Sequence, residues 1–557
     1  MSEMDSRKGL TRRGFVKSAA VGVGVTAIAG LGVKETEAVP ISPIPKKWDY
    51  EVDVVIVGYG GAGGITAITA HDAGAKVLIL EKMTKGEEGG NTGVSAGAIF
   101  SPSNVPDAVT YMKALFKDGG GMPTDDIILA WAEKGVENAA WMKKMGAKLI
   151  EYGKGKETAE YPTLPGADCM SKWSAESGRA GVEVFEVLSR NVTERGIKVL
   201  YESPAKELIQ DGNTKEVLGV KANQSGKEIF IKARKAVVLT CGSFEFNEDM
   251  KRNYLTFGYP IYGWGTPGNT GDGVKMVQMV GGDLWHMNNP AGPIGLALKV
   301  PDFVYPFPLI YRKGYIYIDR LGKRFMNEDR YSAHGKGWMA ISHYEYNSAE
   351  IIPPGETFGR RETVEGPWYP RIPCYVIIDE TSRLAGPLAV GKSQGKGAIG
   401  WSAIHGTYNW SADNSVEIAK GWIKKGDTIE DLATKIGVVP ATLKETLTTY
   451  NGNCELKKDP QFNRDTKKRI PLKTPPFYAI EAYPIMTNNQ GGAKHNKDQQ
   501  VLFADGRPIP RLYAAGEFGS IYGFLYQGAG NLGENISSGR VAGEKAAAEK
   551  PWIQTKR

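Results

Sequence analysis

The stretch YEVDVVIVGYGGAGGITAITAHDAGAKVLILEK, Tyr50 to Lys82, limits the possible folds of this 557-residue chain more than any other. An apolar run, a glycine loop, a helical pattern with Ile65, Ile68 and Thr69 at helical spacing, and a second apolar run, VLIL, follow in order. That order predicts the opening βαβ unit of a Rossmann-like α/β fold. Gly58, Gly60 and Gly63 form G-x-G-x-x-G: the first allows a tight turn, the second a close backbone approach to a pyrophosphate, and the third helix-on-strand packing. Gly61 and Ala62 open the helix, whose unpaired N–H groups and dipole favour phosphates. Glu81, about twenty residues on, is placed to accept from ribose hydroxyls, with Lys82 beside it. The unit predicts a bound dinucleotide and leaves NAD and FAD both open.

The length allows two or three domains, or one large α/β unit with an insertion. With 41% hydrophobic and 24% charged residues the composition is that of a folded globular protein, so disorder is not the default. The first forty residues differ. Thr11-Arg12-Arg13-Gly14-Phe15-Val16-Lys17 precedes a Gly/Ala-rich apolar stretch from Ser18 to Val33, which resembles a twin-arginine export signal, with Thr36-Glu37-Ala38 as cleavage site. The apolar stretch is shorter than the roughly twenty residues of a spanning helix. Export by this route implies a periplasmic or other extracytoplasmic protein whose cofactor is inserted before translocation. Residues 1–38 hold six Lys/Arg and four Asp/Glu, so the net charge of +7 falls to about +5 without them, too little for a nucleic-acid footprint. Cys169, Cys241, Cys374 and Cys454 form no CxxC or CxxCH, so neither an iron–sulfur cluster nor a c-type haem is encoded locally, and no disulfide or metal site is expected.

Further motifs follow in a fixed order: GGNTGVSAGAIF (Gly89 to Phe100), Thr240 to Gly242, TGDG (Thr270 to Gly273), GKRFMNEDRY (Gly322 to Tyr331) and LYAAGEFGS (Leu512 to Ser520). Together with the glycine loop they resemble the fumarate reductase and succinate dehydrogenase flavoprotein superfamily, from about Asp53 to Gly543. The resemblance implies FAD as cofactor. It places the adenosine on the Glu81 side and the isoalloxazine between Asn91 to Gly97 and Glu517 to Leu532. Cofactor contacts are then expected from Gly90, Asn91, Thr92, Ser95, Ala96, Gly97, Ala205, Thr240, Gly242, Asp272, Glu517, Asn531 and Leu532. It also implies a capping domain. The signal peptide occupies 1–38, a proline-rich linker 39–52, the FAD-binding domain about 41–289 and 475–557, and an α+β cap 290–474. The paired prolines of KTPPFYA support the second boundary, because they break helices where a chain crosses between units.

Three stretches depart from the fumarate reductases, which hold a dicarboxylate with histidines and an arginine in HPT, HHTMGG and NRLGG contexts. Here they read HMNNPAGP (His286 to Pro293), TNNQGG (Thr487 to Gly492) and LYQGAGN (Leu525 to Asn531). The last is similar to the Tyr-Pro-Gly-x-Gly of 3-ketosteroid dehydrogenases, with Gln527 replacing the proline. In those enzymes the tyrosine hydroxyl and the last glycine's N–H hold a ketone oxygen, which would give Tyr526 and Gly530 the role of an oxyanion hole. The proton-exchanging group is sought in Tyr331, one residue out of register with a catalytic tyrosine of the same relatives, or in Arg312 of IYRKGY; His334 is a third candidate. The expected function is that of an FAD enzyme moving hydride between flavin N5 and a C=C bond conjugated to a carbonyl, as an enone reductase or a ketosteroid-type dehydrogenase. An external cytochrome or quinone-linked electron partner is expected with it. Two alternatives stay open. One is a respiratory reductase of an unsaturated carboxylate, fumarate-, urocanate- or acrylate-like, with Arg312 or Arg371 pairing the acid. The other is a non-catalytic electron-transfer flavoprotein subunit.

Overall fold

The computed structural model describes residues 44–552 apart from 119–122, 256–257, 292–294, 311–313, 331–370, 390–397, 406–407 and 466–468. The signal segment, Arg312, Tyr331 and His334 therefore lie outside the described residues. Ile41–Arg557 form one compact unit.

Tyr50–Val57 (β1), Gly61–Asp72 (α1) and Val77–Leu80 (β2) form the expected βαβ unit. Strand β1 pairs in parallel with β2, Val54 opposite Val77 and Val57 opposite Leu80. Its residues from Val52 on are buried on both faces, as strands covered on both sides must be. Leu149–Lys154 (β3) and Ser171–Ala175 (β4) form an antiparallel pair in a separate small sheet with Ile99–Phe100. Lys198–Leu200 (β5) extends the main sheet beyond β2, and Lys227–Leu239 (β6) pairs in parallel with β1 on the other side.

Phe477–Met486 (β7) is the central strand of a second sheet, pairing antiparallel with Cys374–Asp379, Ile423–Gly426 and Gly295–Leu298. That sheet is therefore completed by residues beyond the KTPPFYA break. One of its faces packs Tyr317, Val376 and Ile480 against Leu296 and Phe307; the other packs Ile377 and Ala479 against Leu443 and Leu447.

The chain then returns to the first sheet. Pro508–Ala514 (β8) pairs in parallel with β6, Ala514 opposite Leu239, giving the central order β8-β6-β1-β2-β5. Gly530–Ala548 (α2) lies on α1, with Ile536 and Ala542 in one core with Ala62 and Ile65. The carboxyl ends of β1, β6 and β8 thus open on one side, next to the N-termini of α1 and α2. In open parallel sheets that is where ligands bind.

Candidate functional site

Two adjoining cavities, of about 90 and 330 Å³, lie along those strand ends. Asn91, Thr92, Glu517 and Asn535 line both, so the cavities meet at these four residues.

The smaller cavity is the one expected for a dinucleotide. Gly58, Gly60, Gly61, Ala62, Glu81, Lys82, Gly90, Ala205, Thr240, Gly242 and Asp272 line it. Gly60 is an extended residue on the cavity wall, where a Cβ would make only ordinary contact, 3.6 Å from the Gly89 carbonyl oxygen. Gly63 does not line the cavity. A Cβ on it would stand 2.1 Å from the Gly58 carbonyl oxygen, so its part is the helix–strand packing expected of it. Glu81 is buried; its Oε2 accepts from the Tyr59 N–H at 2.8 Å and its Oε1 from Met83 N–H at 2.7 Å. A carboxylate has about four acceptor sites, so two backbone donors leave capacity for ribose hydroxyls. Burial pushes the Glu81 carboxyl up, opposed by those two N–H donors. Lys82 donates to Thr270 Oγ1 at 2.7 Å and Asp272 Oδ2 at 2.8 Å, which spends its charge inside the wall. The Thr240 hydroxyl donates to the Val57 and Gly58 carbonyls and fixes the glycine turn. A cavity lined by the glycine loop, an acid at the ribose position and a helix N-terminus between them fit the adenosine diphosphate half of FAD.

Asn91 joins the two cavities chemically. Its Nδ2 donates to both oxygens of Glu517, at 3.0 and 2.9 Å, and Asn269 donates to the same carboxyl at 3.2 Å. Glu245 faces Glu517 and accepts from the Asn489 N–H at 2.8 Å. Burial, and for Glu517 the neighbouring Glu245 charge, raise both carboxyl groups. Sequence patterning gives no hint of Glu245; it lies three residues beyond Gly242, in a stretch whose periodicity carries no sign of a second acid.

The larger cavity is lined by Ser95, Ala96, Gly97, Asn531 and Leu532, as expected, and by Tyr526. The Ser95 hydroxyl donates to Thr92 O at 2.9 Å and accepts from Gly97 N–H at 3.1 Å, which holds that loop. The Tyr526 hydroxyl oxygen accepts from the Asn531 N–H at 3.2 Å, and its ring stands edge-on to Tyr522 at 5.1 Å. Burial pushes its phenol well above the ordinary range, so it stays protonated at any physiological pH. The expected partnership with Gly530 is not the one formed. The Gly530 N–H donates to the Gln527 carbonyl at 2.9 Å, because Ala529 takes a left-handed φ of 74° and α2 begins there, closing a turn that uses that N–H. Arg371 also departs from expectation: it is buried over the Phe325 ring at 5.1 Å and is not among the cavity-lining residues.

Sequence reasoning missed the outer wall. Tyr152, Glu160 and Lys172 reach it from β3, β4 and their connection, and Trp264, Ile399, Gly400, Thr487 and Asn488 from the second sheet and its flanks. Gln527, where ketosteroid dehydrogenases carry proline, acts as a brace. Its Oε1 accepts from the Tyr111 hydroxyl at 2.6 Å and from the Glu160 N–H at 3.0 Å. That ties the Tyr526 loop to the β3–β4 connection.

The FAD binding domain family matches residues 53–532. The NADH:fumarate oxidoreductase of Klebsiella pneumoniae (strain 342) is 28% identical over 505 residues, covering 89% of this chain but 47% of its own length, so the chain spans about half of that relative. The digoxin reductase of Eggerthella lenta is 26% identical over 611 residues, covering 98% of both chains. Among solved structures, the 3-ketosteroid Δ1-dehydrogenase of Sterolibacterium denitrificans in complex with 1,4-androstadiene-3,17-dione shares the fold with a TM-score of 0.69 at 22% identity, covering 89% of this chain and 99% of its own. The matched span takes in most of both sheets and every lining residue of both cavities except Asn535. The chain belongs to the FAD binding domain family, and it is an FAD-dependent oxidoreductase.

Proposed function

We propose that this FAD-dependent oxidoreductase of CH–CH bonds acts on a C=C bond conjugated to a carbonyl, as a reductase. When bound, the flavin supplies hydride exchange at N5 with the β-carbon. The observation that carries the reading is Tyr526. It stands on the wall of the cavity that joins the nucleotide slot at Asn91 and Glu517, and its oxygen accepts from the Asn531 N–H. Accepting that bond turns the hydroxyl proton away from Asn531 and polarises it, which suits it to hold a carbonyl oxygen as negative charge develops. The Gly530 N–H, spent on Gln527, is no part of this. The α-proton is assigned to Tyr331 or Arg312, with His334 as third candidate. The second sheet, completed by β7, serves as the cap over the cavity.

The names of the two relatives, a fumarate oxidoreductase and a digoxin reductase, support reduction of an unsaturated compound. The test is anaerobic: protein with reduced flavin is mixed with enones, acrylates and fumarate, and flavin reoxidation is followed. A response to conjugated carbonyl compounds supports the reading. A response to quinone analogues alone favours a dehydrogenase, and no response to any organic acceptor favours an electron carrier. We further propose export by the twin-arginine route and electron supply by a cytochrome or quinone-linked partner. Replacing Arg12 and Arg13 together by lysine should then hold the protein in the cytoplasm; export unchanged in that variant would remove the assignment.

A further inference from the structure

The outer end of the larger cavity is charged, and hydride transfer makes no use of it. Tyr152, Glu160 and Lys172 line this end, with Tyr152 about half exposed at 52%. Lys172 is half-buried on β4, opposite Phe100 on one side and Gly153 on the other. It is the one cation on the described part of that wall, and among the described residues its Nζ has no hydrogen-bond or ion-pair partner. Burial works against its charge, and Glu160 offsets this from a distance. Glu160 is held by its N–H to Gln527, next in sequence to Tyr526, so the charged end is fixed to the loop that carries the carbonyl-holding hydroxyl. A partly dry ammonium without a paired acceptor gains most from an anionic oxygen, since charge-assisted hydrogen bonds are about twice as strong as neutral ones.

Building on the hydride reading above, we propose that Lys172 anchors a carboxylate of the substrate, which makes the substrate class an unsaturated monocarboxylate. One cation on the described wall pairs one acid group; a second carboxylate there would meet Glu160 and Glu517. Tyr526 and Lys172 then divide the recognition: one reads the oxygen on which charge develops, the other the net charge of the molecule.

The test uses the full chain loaded with oxidised FAD, titrated with cinnamate and with methyl cinnamate while the flavin absorbance is followed. The two probes share ring and C=C and differ in charge. The wild type should bind cinnamate about tenfold more tightly than the ester. Lys172→Gln should weaken cinnamate about tenfold and leave the ester unchanged, and Lys172→Arg should keep the preference. Equal or tighter binding of the ester by the wild type, no flavin response to cinnamate, or equal losses for both ligands in Lys172→Gln would overturn the proposal. If Lys172→Gln loses FAD, Glu160→Gln decides: cinnamate should bind more tightly and the ester as before, and unchanged cinnamate binding overturns the anchor. No hydride moves in these titrations. Failure of the conjugated compounds to reoxidise reduced flavin would therefore sink the hydride reading separately, while the binding preference still reports on Lys172.

Discussion

Two glycines of one loop should fail in different ways when replaced by alanine. At Gly63 the new Cβ would lie 2.1 Å from the Gly58 carbonyl oxygen and 2.9 Å from Thr240 Oγ1. Neither neighbour can yield easily, since Gly58 N–H is bonded to Leu80 O at 2.8 Å and Thr240 Oγ1 to two carbonyls. More than an ångström must open between α1 and the turn, which puts the cost near the upper end for overpacking, about 3 kcal/mol, or roughly 3 °C in Tm for a chain of this length. At Gly60 the backbone has φ −92° and ψ −161°, open to any residue, and the nearest atom is 3.6 Å away. Gly60→Ala should leave the FAD-free protein within about 1 kcal/mol of wild type, with a small gain from a stiffer unfolded chain. Its Cβ would occupy cavity space beside the phosphate path, so FAD affinity should fall by about a hundredfold or more, roughly 2.7 kcal/mol. The assay is thermal unfolding of FAD-free protein with and without added FAD, beside a fluorescence titration of FAD. Saturating FAD should raise Tm for wild type and Gly63→Ala by much more than for Gly60→Ala. Wild-type FAD affinity in Gly60→Ala, or equal destabilisation of both FAD-free variants, would refute the placement of the pyrophosphate over Gly60.

Tyr526→Phe should keep FAD content and lower turnover by about a hundredfold, the usual loss for one oxyanion donor; a rapid-reaction assay of flavin reoxidation at matched FAD occupancy checks it, and equal rates would remove the role. Gln527→Leu strands the buried Tyr111 hydroxyl and the Glu160 N–H, so thermal unfolding should show a loss of about 2–4 kcal/mol. Glu534 is buried on α2 with two donors, Ser520 Oγ at 2.5 Å and Ile521 N–H at 2.7 Å, and burial pushes its carboxyl up to about 8. The folded state therefore holds this proton more tightly than the unfolded chain. The resulting stability is full below about pH 4.5 and is lost as pH rises toward about 8, at up to roughly 1.4 kcal/mol per pH unit. Glu534→Gln should flatten that part of the stability–pH curve; parallel curves for the two proteins would contradict it.

What can be read from the residues alone is local. β1, the glycine loop, α1 and β2 lie within about thirty residues, and their patterning carries turn, helix and packing together, so the cavity wall at Gly60 follows from residue order. The Tyr526 loop is half legible. Its tyrosine does face the cavity, yet the neighbouring N–H goes elsewhere, because whether Gly530 starts a helix depends on Ala529 adopting a left-handed φ. An alanine in sequence gives no sign of that. Glu245 and Lys172 are invisible for another reason: an acid near the end of a strand and a lysine in a short strand normally face solvent. Only the pairing of β4 with β3 and the meeting of the two cavities at Glu517 turn them inward.

The departures from the fumarate reductase pattern acquire a physical sense at the outer wall. A diacid in a cavity of this kind needs cations for both ends, because an uncompensated buried carboxylate costs several kcal/mol. The described wall offers one ammonium, at Lys172, and places the acids Glu160 and Glu517 on the same lining. In TNNQGG, the stretch compared above with HHTMGG, Thr487 and Asn488 line the cavity, and they can donate or accept a hydrogen bond but carry no charge. Where those enzymes place an arginine in NRLGG, a phenol is held in its protonated form by burial. Each exchange alone removes a binding group. On the reading proposed above, the described wall then suits a single charge and one polarised oxygen. The contrast between cinnamate and its methyl ester therefore probes the wall directly, because the two ligands differ in the charge that Lys172 is proposed to pair.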